Sequence, residues 1–168
     1  MLQINSYIIY GANGVCKIND IRKEKLCGTK QTYYVLSPID NASSTIYVPV
    51  DNEALVSKMK SVLKREEIVS LIEDVKDRML PWISDNKERG DYYTIVLSRG
   101  DRREILALIR TIYRKRLELT AQRKKLWAVD ENALKRAEKI INDEFSLVLG
   151  IAPENVPGFI RETLQNAG

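Results

Sequence analysis

The sequence predicts an α+β chain: a small N-terminal β-barrel or sandwich followed by an all-α helical C-terminal domain. Two observations carry that expectation. Up to Pro49 the apolar residues fall in short β-branched and aromatic runs separated by turn residues. From about Asp51 the apolar period shifts from two to about 3.6, and Gly and Pro almost vanish from segment interiors. With 168 residues, 44% hydrophobic and 30% charged, the chain has the apolar material for two small cores. The expected domains are residues 1–55 and 56–168.

Ser6-Tyr7-Ile8-Ile9-Tyr10 is the first strand, and Gly11-Ala12-Asn13-Gly14 supplies turn residues that tolerate positive φ before a second strand from Val15 to Arg22. Cys27-Gly28-Thr29-Lys30 marks another reversal. Thr32-Tyr33-Tyr34-Val35-Leu36 and Thr45-Ile46-Tyr47-Val48 complete the strands, and Pro49 ends the last. In the helical part, Lys64 to Arg78 places Ile68, Leu71, Ile72 and Val75 on one face until Leu80-Pro81-Trp82 interrupts it, because a residue before proline resists helical dihedrals. Asp85-x-x-Glu88 and Asp101-x-x-Glu104 are helix-start signals, for helices running to Ser98 and to about Thr120. A further helix spans Asp130 to Leu149, closed by Gly150, and Pro153 begins a last one ending near Gln165.

Composition removes most enzymology. There is no histidine, hence no imidazole base, no Ser-His or Cys-His nucleophile pair and few routes to a transition-metal site. Cys16 and Cys27 are too few for a disulfide framework and read as small buried or half-buried side chains. Neighbouring carboxylates such as Glu66-Glu67 and Asp143-Glu144 point about 100° apart on a helix and read as surface charges. Gly11-Ala12-Asn13-Gly14 lacks the residues of a phosphate loop. No apolar run approaches the ~18 residues that span a bilayer, and Met1 to Asn5 lacks a signal-peptide pattern. The expectation is a cytoplasmic, monomeric, non-enzymatic protein with no cofactor, metal, membrane or small-molecule substrate.

What remains is binding. The net charge of +4 is concentrated: residues 99–125 carry 10 basic and 3 acidic side chains, whereas 1–55 and 56–98 are each neutral. Such a local excess suits a polyanion. On the helix from residue 101 to 120, Ile105, Leu108, Ile109, Ile112 and Leu119 form the core face, and Arg103, Arg110 and Arg114 line the opposite arc, with Arg99 close by. A line of guanidinium groups can track phosphates, since each pairs bidentately with phosphate oxygens. Trp82, in a break between helices and near Lys87 and Arg89, could serve as an apolar wedge against a base step. Trp127 reads as packing.

The order Tyr7-Ile8-Ile9-Tyr10, Gly14-Val15-Cys16-Lys17-Ile18, Gly28, Tyr33-Tyr34-Val35-Leu36 and Thr45-Ile46-Tyr47-Val48-Pro49-Val50-Asp51 resembles the CarD/CdnL family of bacterial transcription regulators. Trp82, the Leu97-Ser98-Arg99-Gly100-Asp101 corner and the Ala133-Leu134, Ala137, Ile140-Ile141, Glu144 helix extend the resemblance through the helical part. The resemblance implies an SH3/Tudor-like barrel, as also found in transcription-repair coupling factors, that binds the RNA polymerase β subunit, and a helical domain on promoter DNA. It implies that Thr45, Ile46, Tyr47 and Val48 form the polymerase-facing edge, with Glu24 and Lys25 on a neighbouring strand. Trp82 would enter the minor groove at the upstream edge of the melted bubble, with Lys87, Arg89, Arg99, Arg103, Arg110 and Arg114 as backbone contacts. The family's Tyr-Pro-x-His-Gly turn reads Tyr10-Gly11-Ala12-Asn13-Gly14 here. The alternative is a protein-interaction adaptor that makes no DNA contact.

Overall fold

The computed structural model describes residues 1–167, which form two compact units, Met1–Val62 and the residues from Leu63 onward. The first holds a five-stranded antiparallel sheet made by β1 (Tyr7–Tyr10), β2 (Val15–Leu26), β3 (Thr29–Pro38), β4 (Ile46–Pro49) and β5 (Met59–Ser61), in the order β4-β3-β2-β1-β5. A short helix, α1 (Glu53–Val56), lies between the last two strands, its start capped by the Asn52 side chain accepting from the Leu55 amide at 3.1 Å. The expected α+β class holds, but the closed barrel does not form: β4 and β5 are the two edges of an open sheet. Four and three residues long, these strands have no ladder joining them. The β unit also runs past residue 55, because β5 pairs with β1 through Ile8↔Ser61, Ile9↔Lys60 and Tyr10↔Met59.

β2 and β3 are longer than the sequence suggests and meet in the register Leu26↔Thr29, leaving a two-residue turn. Cys27 and Gly28 both take positive φ, 50° and 82°, the left-handed pair that matches the twist of a tight hairpin. A bulge between Ile18 and Asp20 shifts the register of that ladder, adding local twist. One face of the sheet buries Ile8, Cys16, Ile18, Leu36 and Val48, each at most 1% exposed, against Tyr34 and Met59.

The second unit is α2 (Arg65–Asp74), α3 (Asn86–Arg99), α4 (Arg102–Ala121), α5 (Ala128–Leu149) and α6 (Val156–Ala167), the last preceded by a 3-10 turn at Pro153–Asn155. The start signals act as expected: Asp85 accepts from the Glu88 amide at 2.9 Å and Asp101 from the Arg103 amide at 2.8 Å, each satisfying an amide that the helix leaves unpaired. Ile68, Leu71, Ile72 and Val75 of α2 are buried with Ile105, Leu108, Ile112, Ala137, Ile141 and Phe145 in one core. Ile109 reaches that core only in part.

One ion pair is buried inside this core and a second is partly buried. Arg89 and Asp130, 1% and 0% exposed, pair bidentately at 2.8 Å through Nε and Nη2. The guanidinium also donates to the Ile83 and Ser84 carbonyls at 2.9 and 3.4 Å and to Asn86 Oδ1 at 2.8 Å, so all five of its N–H donors have partners. Tyr93 donates its hydroxyl to Asp130 Oδ1 at 2.8 Å. Burial first, and then that hydrogen bond, push the Tyr93 phenol above its ordinary range, while the bonds to Asp130 hold Arg89 charged. Beside the pair α3 presses on α5: a Cβ added at Gly90 would stand 2.9 Å from Val129 Cγ2.

Glu144, expected at the surface, is 2% exposed; it accepts from Arg102 Nε and Nη2 at 2.7 and 2.6 Å and from the Leu63 amide at 2.9 Å. It ties the first residue of the helical unit to α4 and α5. The carboxylate is buried because an arginine 42 positions away in sequence neutralises it.

The two cysteines differ. Cys16 is fully buried, and burial, with the nearby Asp40 carboxylate adding to it, raises its thiol to about 11; Cys27 is exposed at the hairpin tip. Since the thiolate is the reactive form, an aromatic disulfide reagent at pH 8 is expected to modify one thiol per native chain promptly and the second only after denaturant is added. Asp130→Ala strands the Arg89 charge in the core, and urea titration followed by tryptophan fluorescence should show a loss of about 3–5 kcal/mol.

Candidate nucleic-acid and edge-strand interfaces

Trp82 lies in the segment between α2 and α3, and hydrogen bonds fix that segment on both sides of it. Before the ring, the Leu80 amide donates to Thr111 Oγ1 of α4 at 2.9 Å. After it, the Ile83 carbonyl accepts from Arg89 of α3, which is itself held by Asp130 of α5. The indole therefore sits where three helices meet. Its ring is half-buried, with the Arg89 guanidinium carbon 4.3 Å and Lys115 Nζ 4.8 Å from its centroid, distances at which a cation is attracted to the π face.

Trp127, expected to be packing, is 41% exposed and stands beside Trp82, the two centroids 6.2 Å apart and the planes tilted by 38°. The same guanidinium lies 5.3 Å from the Trp127 centroid. Two tryptophans 45 positions apart thus share one buried arginine, and the exposed edge of this cluster is apolar and aromatic beside Lys115. Residues of this kind supply base-stacking area next to cationic contacts.

The expected line of basic residues breaks up. Arg89 is buried and its donors are committed to Asp130 and neighbouring carbonyls, so it is not a phosphate contact but the support beneath the rings. Arg99 does not continue the phase of α4: it closes α3, where Gly100 takes a left-handed conformation, and its Nη1 lies 3.8 Å from Glu104. Arg103 is exposed but turned to Asp74 at 3.2 Å. Arg110 is half-buried and lines an apolar pocket between α4, α5 and α6. Arg114 and Lys87 are exposed, as are Arg123, Lys124 and Lys125 after α4. Lys115 and the pairing role of Asp130 were not singled out by sequence, and Trp127 was read as packing, although Lys115 lies four positions after Thr111, one turn along α4 toward the segment that Thr111 anchors.

In the β unit, β4 is an edge with Tyr47, 36% exposed, set against Tyr33 in an edge-to-face contact at 5.9 Å and 84°. Thr45 is exposed just before the strand and Ile46 is half-buried, but Val48 is fully buried, so its side chain belongs to the core and only its backbone lies at the edge. Glu24 and Lys25, adjacent on β2, fall on opposite faces. Glu24 joins a polar row in which Arg22 donates to Glu24 at 2.7 Å, to Asp20 at 3.2 Å and to the Tyr47 hydroxyl at 3.5 Å. Arg22 links β2 to the edge strand, and its period-two spacing from Asp20 and Glu24 is the sequence signal that marks it.

Among the described residues no group of His, Cys, Asp or Glu is arranged to hold a metal ion, and no helix is long and apolar enough to cross a membrane. No curated protein matches the chain. Residues 2–60 match the family model described as the CarD-like/TRCF RID domain. That stretch runs through all four longer strands and into β5, so the similarity to the CarD-like/TRCF RID domain covers the N-terminal unit.

Proposed function

We propose that this protein is a non-enzymatic, cytoplasmic transcription regulator that docks on the RNA polymerase β subunit through the β4 edge and holds promoter DNA open by setting Trp82 at the upstream boundary of the melted region. The observation that carries the reading is the family match over residues 2–60. The edge of β4, with Tyr47 exposed beside the Asp20-Arg22-Glu24 row, supports the first half, since an unpaired edge can extend a partner's sheet by main-chain hydrogen bonds. The Trp82 and Trp127 rings beside Lys115 support the second.

Tethering makes a weak DNA contact sufficient, because the second binding step becomes intramolecular. Opening is favoured only through differential affinity: a ligand that binds closed and melted DNA alike shifts nothing. An aromatic edge that gains stacking partners only where bases are unpaired provides that difference. The exposed cations Lys87 and Arg114 fit phosphate contacts, with Lys115, whose Nζ lies 3.6 Å from Glu118, beside the rings. With ~3 phosphates neutralised, log affinity should fall against log salt with a slope of about −2.7. A slope near zero on a forked DNA would remove the DNA half of the proposal.

The loss of Arg89, and the engagement of Arg103 by Asp74, favour a second reading: an adaptor that binds polymerase and leaves DNA alone. Trp82→Ala separates the two. The regulator reading expects normal polymerase co-purification with reduced promoter opening, measured by permanganate reactivity of unpaired thymines; unchanged opening would favour the adaptor. Tyr47→Glu is expected to reduce co-purification with polymerase while leaving the thermal unfolding of the chain close to wild type.

A further inference from the structure

α6 carries apolar residues at Val156, Phe159, Ile160 and Leu164, the spacing of a helix that buries one face. Only Val156 is buried; Phe159, Ile160 and Leu164 are half-buried. Between α6, α4, α5 and the end of α2 the face instead borders a half-open pocket of about 370 Å³, walled by Ile72, Leu106, Ile109, Ile141, Ile160 and Leu164. Small-molecule sites begin near 300 Å³ and are lined mostly by apolar side chains.

Three cations, Lys76, Arg110 and Arg161, line the same cavity, with one carboxylate, Glu138. Glu138 accepts a hydrogen bond from the Tyr113 hydroxyl. Burial and then Glu138 raise the Tyr113 phenol, and the charges of Arg116 and Arg161 oppose that rise. Arg161 Nη2 also lies 4.0 Å from the point a Cβ would occupy at Gly158, at the start of α6. The lining is therefore mostly apolar, with three cations against one carboxylate.

From this geometry we propose that the helical unit binds a single-chain carboxylate, an amphipathic anion of the medium-chain fatty-acid class, with its tail among Ile72, Leu106, Ile141 and Leu164 and its carboxylate between Arg110 and Arg161. Arginine pairs with a carboxylate bidentately, and the aliphatic walls recover the transfer free energy of each buried methylene. Polynucleotide phosphates would meet the cations but leave the walls unfilled. A second copy of the chain would bring the same three cations to the same rim, since a two-fold interface is self-complementary.

The test is titration of full-length protein with laurate at submicellar concentration, read by isoleucine methyl NMR. Dodecyltrimethylammonium serves as the probe with the same tail and opposite charge. Saturable shifts confined to Ile72, Ile109, Ile141 and Ile160 with laurate, and at least about tenfold weaker binding of the cationic probe, support the proposal. The double variant Arg110→Gln/Arg161→Gln should weaken laurate by about tenfold or more, and Leu164→Trp should abolish the shifts by filling the space. If the tryptophan variant does not fold, the arginine variant still decides. Equal affinity for the two probes, an unaffected arginine double variant, no saturable response, or shifts that follow protein concentration without ligand would each overturn it.

Discussion

A guanidinium taken out of water must find an acceptor for every donor, and Arg89 meets that demand by drawing together groups from four places in the chain. Asp130 comes from α5, Tyr93 joins it from α3, and the carbonyls of Ile83 and Ser84 come from the segment after Trp82, with Asn86 at the start of α3. Desolvating the two charges costs several kcal/mol each, which their mutual attraction and the added hydrogen bonds must offset. The arrangement is thus weak as a source of stability and strong as a constraint on position. The backbone beside Trp82 has one geometry that satisfies Arg89, and the ring that follows from it is set by the core beneath.

The same cation serves the surface. Its charge lies within reach of both indole rings, so the tryptophans are attracted to the positive face of a buried ion pair rather than left to rotate in solvent. A binding group held in one orientation loses less conformational entropy when it docks. Helix approach contributes as well: Gly90 permits the close contact with Val129 that brings Trp127, at the start of α5, beside Trp82. Glu144 performs the corresponding task at the other end of the bundle, joining α4, α5 and Leu63.

What could be read from sequence was local. The apolar stripe of α2, the aspartates that begin α3 and α4, and the turn at Cys27 and Gly28 all depend on residues within a few positions of one another, and all are present. β5 was hidden because three residues, Met59–Ser61, are too few to show alternation amid helical neighbours. The pairs Arg89 with Asp130 and Arg102 with Glu144 span 41 and 42 positions, and each member alone is indistinguishable from a solvated surface charge. For the same reason the exposed pair of Arg103 with Asp74 has no signal in the sequence. A helical wheel gives a direction, whereas burial depends on what the rest of the chain places there.

The four-residue length of β4 also governs what the protein does at high concentration. An open sheet border is a template for joining other copies, yet this one is brief and finishes at Pro49, which has no amide hydrogen to donate. Two chains meeting border to border would gain only a handful of main-chain bonds before running out of strand. Fibril-like growth is starved at that boundary, so lasting adhesion falls to a surface that adds side-chain complementarity of its own.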